Sequence, residues 1–262
     1  MTPGIIDSNV WFGRWPFRRL PGDEPADLLG RLQRAGVRQA WVGSFDALFH
    51  RDMGAVNERL AADCRALGDG EFCLPFGTVN PKLPDWEDDL RRCREAHHMR
   101  GIRLAPAYHG YPLDDPSFVS LVRRAAEQQL IVELLISLED QRTQPARGRV
   151  PTLDMAPLID LVKQASGLQL VLLGAFHASK RDVIERLAAA GEVYFEIATL
   201  EGMGGLTRLI EWVSVDRILF GSAAPFFYIS SAVLKLEESD LAGRQLEQIC
   251  FANAERLIPR PR

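Results

Sequence analysis

The chain has 262 residues, of which 47% are hydrophobic and 25% charged, with a formal net charge of -4. Such a length buries a sizeable core, in one large domain or two small ones. The mildly acidic balance argues against a general nucleic-acid role, although arginine-rich pieces such as "RWPFRR" leave room for a local anion site.

The opening "MTPGII" has no basic region followed by an apolar run, so no secretory leader is expected. No apolar stretch approaches the roughly 20 residues that a membrane helix requires. The expectation is therefore a soluble, cytoplasmic protein with no membrane partner.

Short apolar segments then recur along the chain: "GIIDSNV", "QAWVGS", "CLPFGTV", "GIRLA", "LIVELLIS", "LQLVLLG", "VYFEIA" and "RILFGS". They are rich in β-branched residues, as buried parallel strands are. Helical patterns lie between them. "DLLGRLQRAG" places Leu28, Leu29, Leu32 and Ala35 on one face, and Gly36 stops it. "DDPSFVSLVRRAAEQQ" offers Asp115 as N-cap and Pro116 at the first helical position, ahead of an apolar face of Phe118, Leu121, Val122 and Ala125. "SKRDVIERLAAAG" offers Ser179 as cap and Gly191 as terminator, and Gly243 to Ile258 reads as a closing amphipathic helix.

About eight strands alternating with about eight helices predict a single (β/α)8 TIM barrel over residues 1–262, with a C-terminal helix. A doubly wound open sheet is the alternative, disfavoured because no glycine-rich phosphate loop follows the first strand. Arg14 to Glu24 and Gln141 to Thr152 are the expected long loops. Both follow strands, which places them at the C-terminal face, where barrels carry their sites.

The cysteines Cys64, Cys73, Cys93 and Cys250 form no C-x-x-C pair and read as reduced, mostly buried thiols. Cys93, His97 and His98 have a spacing that a metal can use, but a zinc site needs further convergent ligands, and a helix flank is the preferred explanation.

Three segments carry a family resemblance. "RILFGSAAPFF" is similar to a strand-eight signature ending Gly-Ser-Asp-x-Pro. "GIRLAPAYHGYPLDDP" is similar to a Lys-Leu-His-Pro segment followed by Gly-Tyr and Asp-Asp-Pro. "NAERLI" is similar to a closing Asn-Ala-x-Arg-Leu. On these the chain resembles the amidohydrolase-related family, TIM-barrel hydrolases that usually carry a metal, over nearly its whole length. The resemblance also marks departures. The family's first strand ends Asp-x-His-x-His, and here it reads Asp7-Ser8-Asn9-Val10-Trp11. The strand-four histidine is replaced by Ala105, Leu135 to Ser137 supply no histidine, Gly174 stands at the strand-six position, and Ala223 replaces the strand-eight aspartate that accepts a proton from water. Imidazoles and carboxylates bind such metals and the metal acidifies bound water. Asn and Ala supply little of that, and Trp only a donor. No metal ligands and no cofactor are therefore expected.

What remains defines the candidate site. Strand alternation puts Asp7, Asn9 and Trp11 on one face, and Arg103 with Ala105 on another; the family's equivalents point into the barrel. Asn9, Trp11, Arg14, Arg103, Glu133 and Ser222 are the candidate substrate-binding residues. His109 and His177, following strands four and six, are the candidate catalytic bases. Each has a structural alternative: an Asp7–Arg103 ion pair filling the barrel, an arginine partner for Glu133 and for Glu196, Trp11 as packing, and the histidines as loop residues. Two functions stay open. One is an amidohydrolase-like hydrolase acting on a small carboxylate, cyclic ester or amide without the usual metal. The other is an inactive barrel serving as a ligand-binding or assembly protein. In both, the expected partner is a small anionic molecule, and a homo-oligomer is open.

Overall fold

In a computed structural model, which describes residues 4–68, 71–140, 142–177 and 179–258, eight strands follow one another around a single parallel sheet. They are β1 (Ile5–Phe12), β2 (Val37–Ser44), β3 (Cys73–Gly77), β4 (Gly101–Leu104), β5 (Ile131–Leu135), β6 (Leu170–Leu173), β7 (Val193–Glu196) and β8 (Ile218–Leu219). The ring closes between β8 and β1. Ser8 donates to the Phe220 carbonyl from both its backbone N–H (2.9 Å) and its hydroxyl (2.8 Å), the Trp11 N–H donates to the Ala224 carbonyl at 2.8 Å, and Val10 bridges Ala224 in parallel. The expected (β/α)8 barrel is the observed fold.

The apolar runs work because alternate side chains enter two different cores. Val132, Leu134, Leu170, Leu172, Val193 and Phe195 point outward and pack under the helices. Ile131, Leu135, Val171, Leu173 and Tyr194 point inward and fill the barrel. Burial on both faces is what a period-free apolar strand encodes.

Helices fill the crossovers much as their patterns require. Pro25–Arg34 buries Leu28, Leu29 and Leu32, and the chain leaves it at Gly36 with φ +87, a conformation that glycine adopts freely. The helix Pro116–Glu127 starts where expected, with the Asp115 carboxylate accepting the Ser117 N–H at 2.9 Å. Ser179 does not cap the helix Arg181–Ala190. Lys180 holds that position without a side-chain bond, and the Ser179 hydroxyl faces the Met155 sulfur at 3.6 Å. The closing segment is helical from Gly243 to Leu257, with one wider π turn across Gln248–Ala252. Among the described residues, no helix is long and apolar enough to cross a membrane.

The loop 13–24 and the loop after β5 meet over the C-terminal end of the barrel. A Cβ on Gly148 would come within 2.6 Å of the Phe17 ring, so glycine permits the contact. Gln141, the expected first residue of the second loop, lies outside the described residues.

Candidate functional site

The middle of the barrel is polar and closed. Arg103 on β4 is 1% exposed. Its Nε donates to Glu133 Oε2 on β5 at 2.6 Å, its Nη1 to the Val10 carbonyl at 2.8 Å, and its Nη2 to the Trp41 carbonyl at 3.2 Å. Arg103 and Glu133 are direct register partners, which is why the pair forms. The guanidinium also lies 4.5 Å from the centre of the Trp11 ring, a cation–π contact. Room for it comes from Gly43 on β2, where a Cβ would fall 2.7 Å from the Arg103 side chain.

Asp7 therefore does not pair with Arg103, the structural alternative raised by its inward face. It turns instead to the strand-eight end. Ser222 donates to it twice, from Oγ at 2.5 Å and from its N–H at 3.0 Å, and the Asn9 N–H adds a third bond at 3.1 Å. A bulge in β1 between Asp7 and Val10 accompanies this turn. Asn9 Oδ1 accepts from the Trp11 indole N–H at 2.8 Å, and its side chain also bonds Glu196. Glu196 accepts backbone N–H groups from Gly174 at 2.6 Å and Ala198 at 2.5 Å, so backbone donors, not an arginine, satisfy it. Thus Asn9, Trp11, Arg103, Glu133 and Ser222 converge in one interior network.

Three carboxyls are buried here, and of them Glu133 alone is paired with Arg103. Burial pushes Asp7 up to about 7, against the lowering effect of its Ser222 bonds. Burial also pushes Glu133 up to about 7, against the pull of Arg103. Glu196 is raised by burial as well. Glu133 Oε1 has no hydrogen-bond partner, whereas Oε2 accepts from Arg103.

Aromatic rings cover this layer. Trp11 stacks on Phe45 at 5.2 Å with an interplanar angle of 8°. Trp15 sits edge-on to Phe45 at 5.5 Å and to Phe226 at 5.2 Å. Phe17, Phe49 and Tyr108 continue the cluster outward. Arg18 lies over the Phe226 ring at 4.7 Å.

Two expected site residues stand apart. Arg14 is exposed and ion-paired with Glu24, so its guanidinium is engaged outside the barrel. His109 ends a short helical turn after β4, Pro106–His109, and its Nε2 bonds the Ala47 carbonyl at 2.9 Å. Its Nδ1 is buried without a partner, and burial lowers its pKa. Its ring lies beside Tyr111, which packs on Phe118 under the helical layer, away from Arg103. His177 ends the turn Ala175–His177 after β6, and its side chain lies outside the described residues. Cys93 is buried and accepts from Asn57 at 3.4 Å, whereas His97 lies beyond the helix end, so the two do not form a pair. Sequence reasoning missed Phe45 and Trp15 as the cover. An aromatic residue directly after β2, and another three residues after the end of β1, were the available signal.

Among the described residues, no group of three His, Cys, Asp or Glu is arranged to hold a metal ion. The donors on the barrel axis are otherwise engaged: Asn9 on Trp11 and Glu196, Asp7 on Ser222, and Glu133 on Arg103.

A closed eight-stranded barrel with a polar interior and an aromatic cover is the class that these features define. The chain belongs to the amidohydrolase family, whose model matches residues 13–260. Its fold is similar to that of 5-carboxyvanillate decarboxylase from Sphingomonas paucimobilis, at TM-score 0.75 and 12% identity over 98% of this chain and 99% of that one. It is also similar to 2,6-dihydroxybenzoate decarboxylase from Rhizobium (TM-score 0.72, 15% identity, 97% and 98% covered). An uncharacterized TIM-barrel protein from Bordetella bronchiseptica is a third similar structure (TM-score 0.72, 15% identity, 97% of each chain). At these identities the likeness is one of fold. No curated protein matches the sequence.

Proposed function

We propose that this amidohydrolase-family barrel is a non-catalytic member, a ligand-binding or assembly protein whose ancestral mouth is filled by its own side chains. One observation carries the reading: the space above Arg103 is occupied by the stacked Trp11–Phe45 pair, with Trp15 and Phe226 packed edge-on around it. The family's usual metal does not fit this donor set. A divalent ion needs several convergent anionic or imidazole donors. Here an arginine already supplies the positive charge, and the nearby carboxyls are bound to it, to a hydroxyl or to backbone N–H groups. The two arginines expected to anchor a carboxylate are spent on Glu133 and Glu24.

A second reading, a hydrolase acting on a small carboxylate, cyclic ester or amide without a metal, is favoured by one feature. Asp7 is held near 7 beside the Ser222 hydroxyl, and a carboxyl so placed is suited to move a proton at neutral pH. The decarboxylase neighbours act on aromatic acids by their names, which makes small aromatic carboxylates a natural panel. The test is turnover of carboxylates, lactones and amides by the wild type and by Asp7→Asn. The expected result is no conversion that depends on Asp7. Conversion lost in Asp7→Asn and in Ser222→Ala, with both variants folded, would transfer the assignment to the hydrolase.

A further inference from the structure

The opposite end of the barrel holds a cleft of about 830 Å³. It lies at the N-terminal ends of β1 to β4, bounded by Ile6, Gln39, Cys73 and Arg100, and by Glu255 and Ile258 from the closing helix. This is the end away from the Trp11–Phe45 cover. We propose that this cleft binds a small organic phosphate.

The charge of the lining comes first. Arg38, Arg65, Arg100, His97 and His98 all line the cleft. Arg38 is already paired with Glu255 at 2.8 Å. Arg65 and Arg100 are exposed and make no side-chain hydrogen bond or ion pair among the described residues. Other arginines, such as Arg31 with Asp27 and Arg91 with Asp88, are tied to carboxylates. Two unspent guanidiniums at one concave site are a phosphate grip, since each presents a planar fork of donors.

The histidines add a second argument. The Nε2 of His97 is buried and has no hydrogen-bond partner. Its ring forms part of the cleft wall. His98 adopts φ +54, the left-handed region that glycine or asparagine usually fills after a helix. The turn there needs such a residue, because the Met99 N–H reaches back to the Cys93 carbonyl at 2.9 Å. A histidine at this position gives up the freedom of glycine and places an imidazole in the cleft wall.

The rest of the lining limits the ligand. Leu74, Pro75 and Ile6 give the cleft an apolar surface for an organic body, and the volume lies in the range of small-molecule sites. Glu71 and Glu255 also line it, so a long polyanion would meet two carboxylates as well as the cations. That favours one compact phosphate over a nucleic acid. The inference stands apart from the barrel mouth and holds whether or not the mouth is catalytic.

Isothermal titration of the full chain with phenyl phosphate, at fixed ionic strength, tests it, with benzoate as the carboxylate comparison. Saturable one-to-one binding of phenyl phosphate is expected. Arg65→Ala/Arg100→Ala should weaken it about tenfold or more, equivalent to about 1.4 kcal/mol or more. Both residues are exposed, and an unchanged melting curve of the variant confirms its fold. Arg142→Ala, on the exposed loop after β5, should leave the affinity unchanged. Absence of saturable binding overturns the proposal. So does equal binding by wild type and the double variant, or tighter binding of benzoate than of phenyl phosphate.

Discussion

At the scale of single residues, the barrel interior is a problem in charge. Asp7 and Glu133 are fully buried and each is pushed up to about 7. A carboxyl that ionises less readily in the fold than in the unfolded chain stabilises the fold while it holds its proton. That contribution is complete below the ordinary carboxyl range and is lost as pH rises to about 7. The melting temperature should therefore fall between about pH 5 and about pH 7, where most other carboxyls are already ionised, and then level off. Asp7→Asn should flatten the fall, because the amide cannot ionise and its oxygen still accepts from Ser222. Differential scanning calorimetry across the series checks this by difference: His109, whose pKa burial lowers, contributes a rise over the same window in both proteins, so identical pH profiles for wild type and Asp7→Asn would show that Asp7 is ionised in the fold. The inward positions of these residues were legible from strand alternation. An arginine partner for Glu133 was legible too; which arginine it is, and the partner of Asp7, were not. Asp7 and Glu133 both lie inward, and only the strand register decides that Arg103 meets Glu133.

At the scale of elements, β2 and β4 fit together through an absent side chain. Gly43 leaves the space that the Arg103 guanidinium fills, and Arg103 is pinned by Glu133 and by the carbonyls of Val10 and Trp41. It has nowhere to retreat. Gly43→Ala should cost about 1–3 kcal/mol, the usual range for overpacking a core. Urea denaturation should show a lower midpoint with an unchanged slope; an unaltered midpoint would mean that the guanidinium has a second place to go. The strands themselves were readable because a doubly buried strand has an unmistakable composition. "QAWVGS" disclosed the strand but not the function of its glycine, because a close approach across a barrel joins residues 60 apart in sequence. The loop positions of His109 and Arg14 were readable too. Where their polar atoms point was not, because a loop side chain answers to neighbours such as Ala47 and Glu24 that no periodicity reveals.

At the scale of the whole molecule, the family and the fold agree. Two of the three segments that resemble the family build the barrel's seam and its closing helix, and the third forms β4 and the turn after it. Phe220 to Ala224 bonds β1, and Asn253 donates to the Val215 and Ile218 carbonyls at 2.8 Å each. Such residues serve the architecture whatever the chain does, which is why fold was easier to read than function. The arrangement also predicts the response to chelation. Prolonged dialysis against EDTA should leave the melting temperature unchanged, since a ligand stabilises a fold only if it is bound. A fall of several degrees, restored by one divalent metal, would show that the interior carboxyls accept an ion after all.

The guanidinium at the centre of the barrel is attached to the chain by covalent bonds. Its stoichiometry is fixed at synthesis and has no dissociation constant. A positive centre of this kind is never scavenged by a competing protein, exchanged for the wrong element or depleted when an organism is starved of trace metals. It arrives with β4, and its location depends on one codon rather than on the composition of the surrounding fluid.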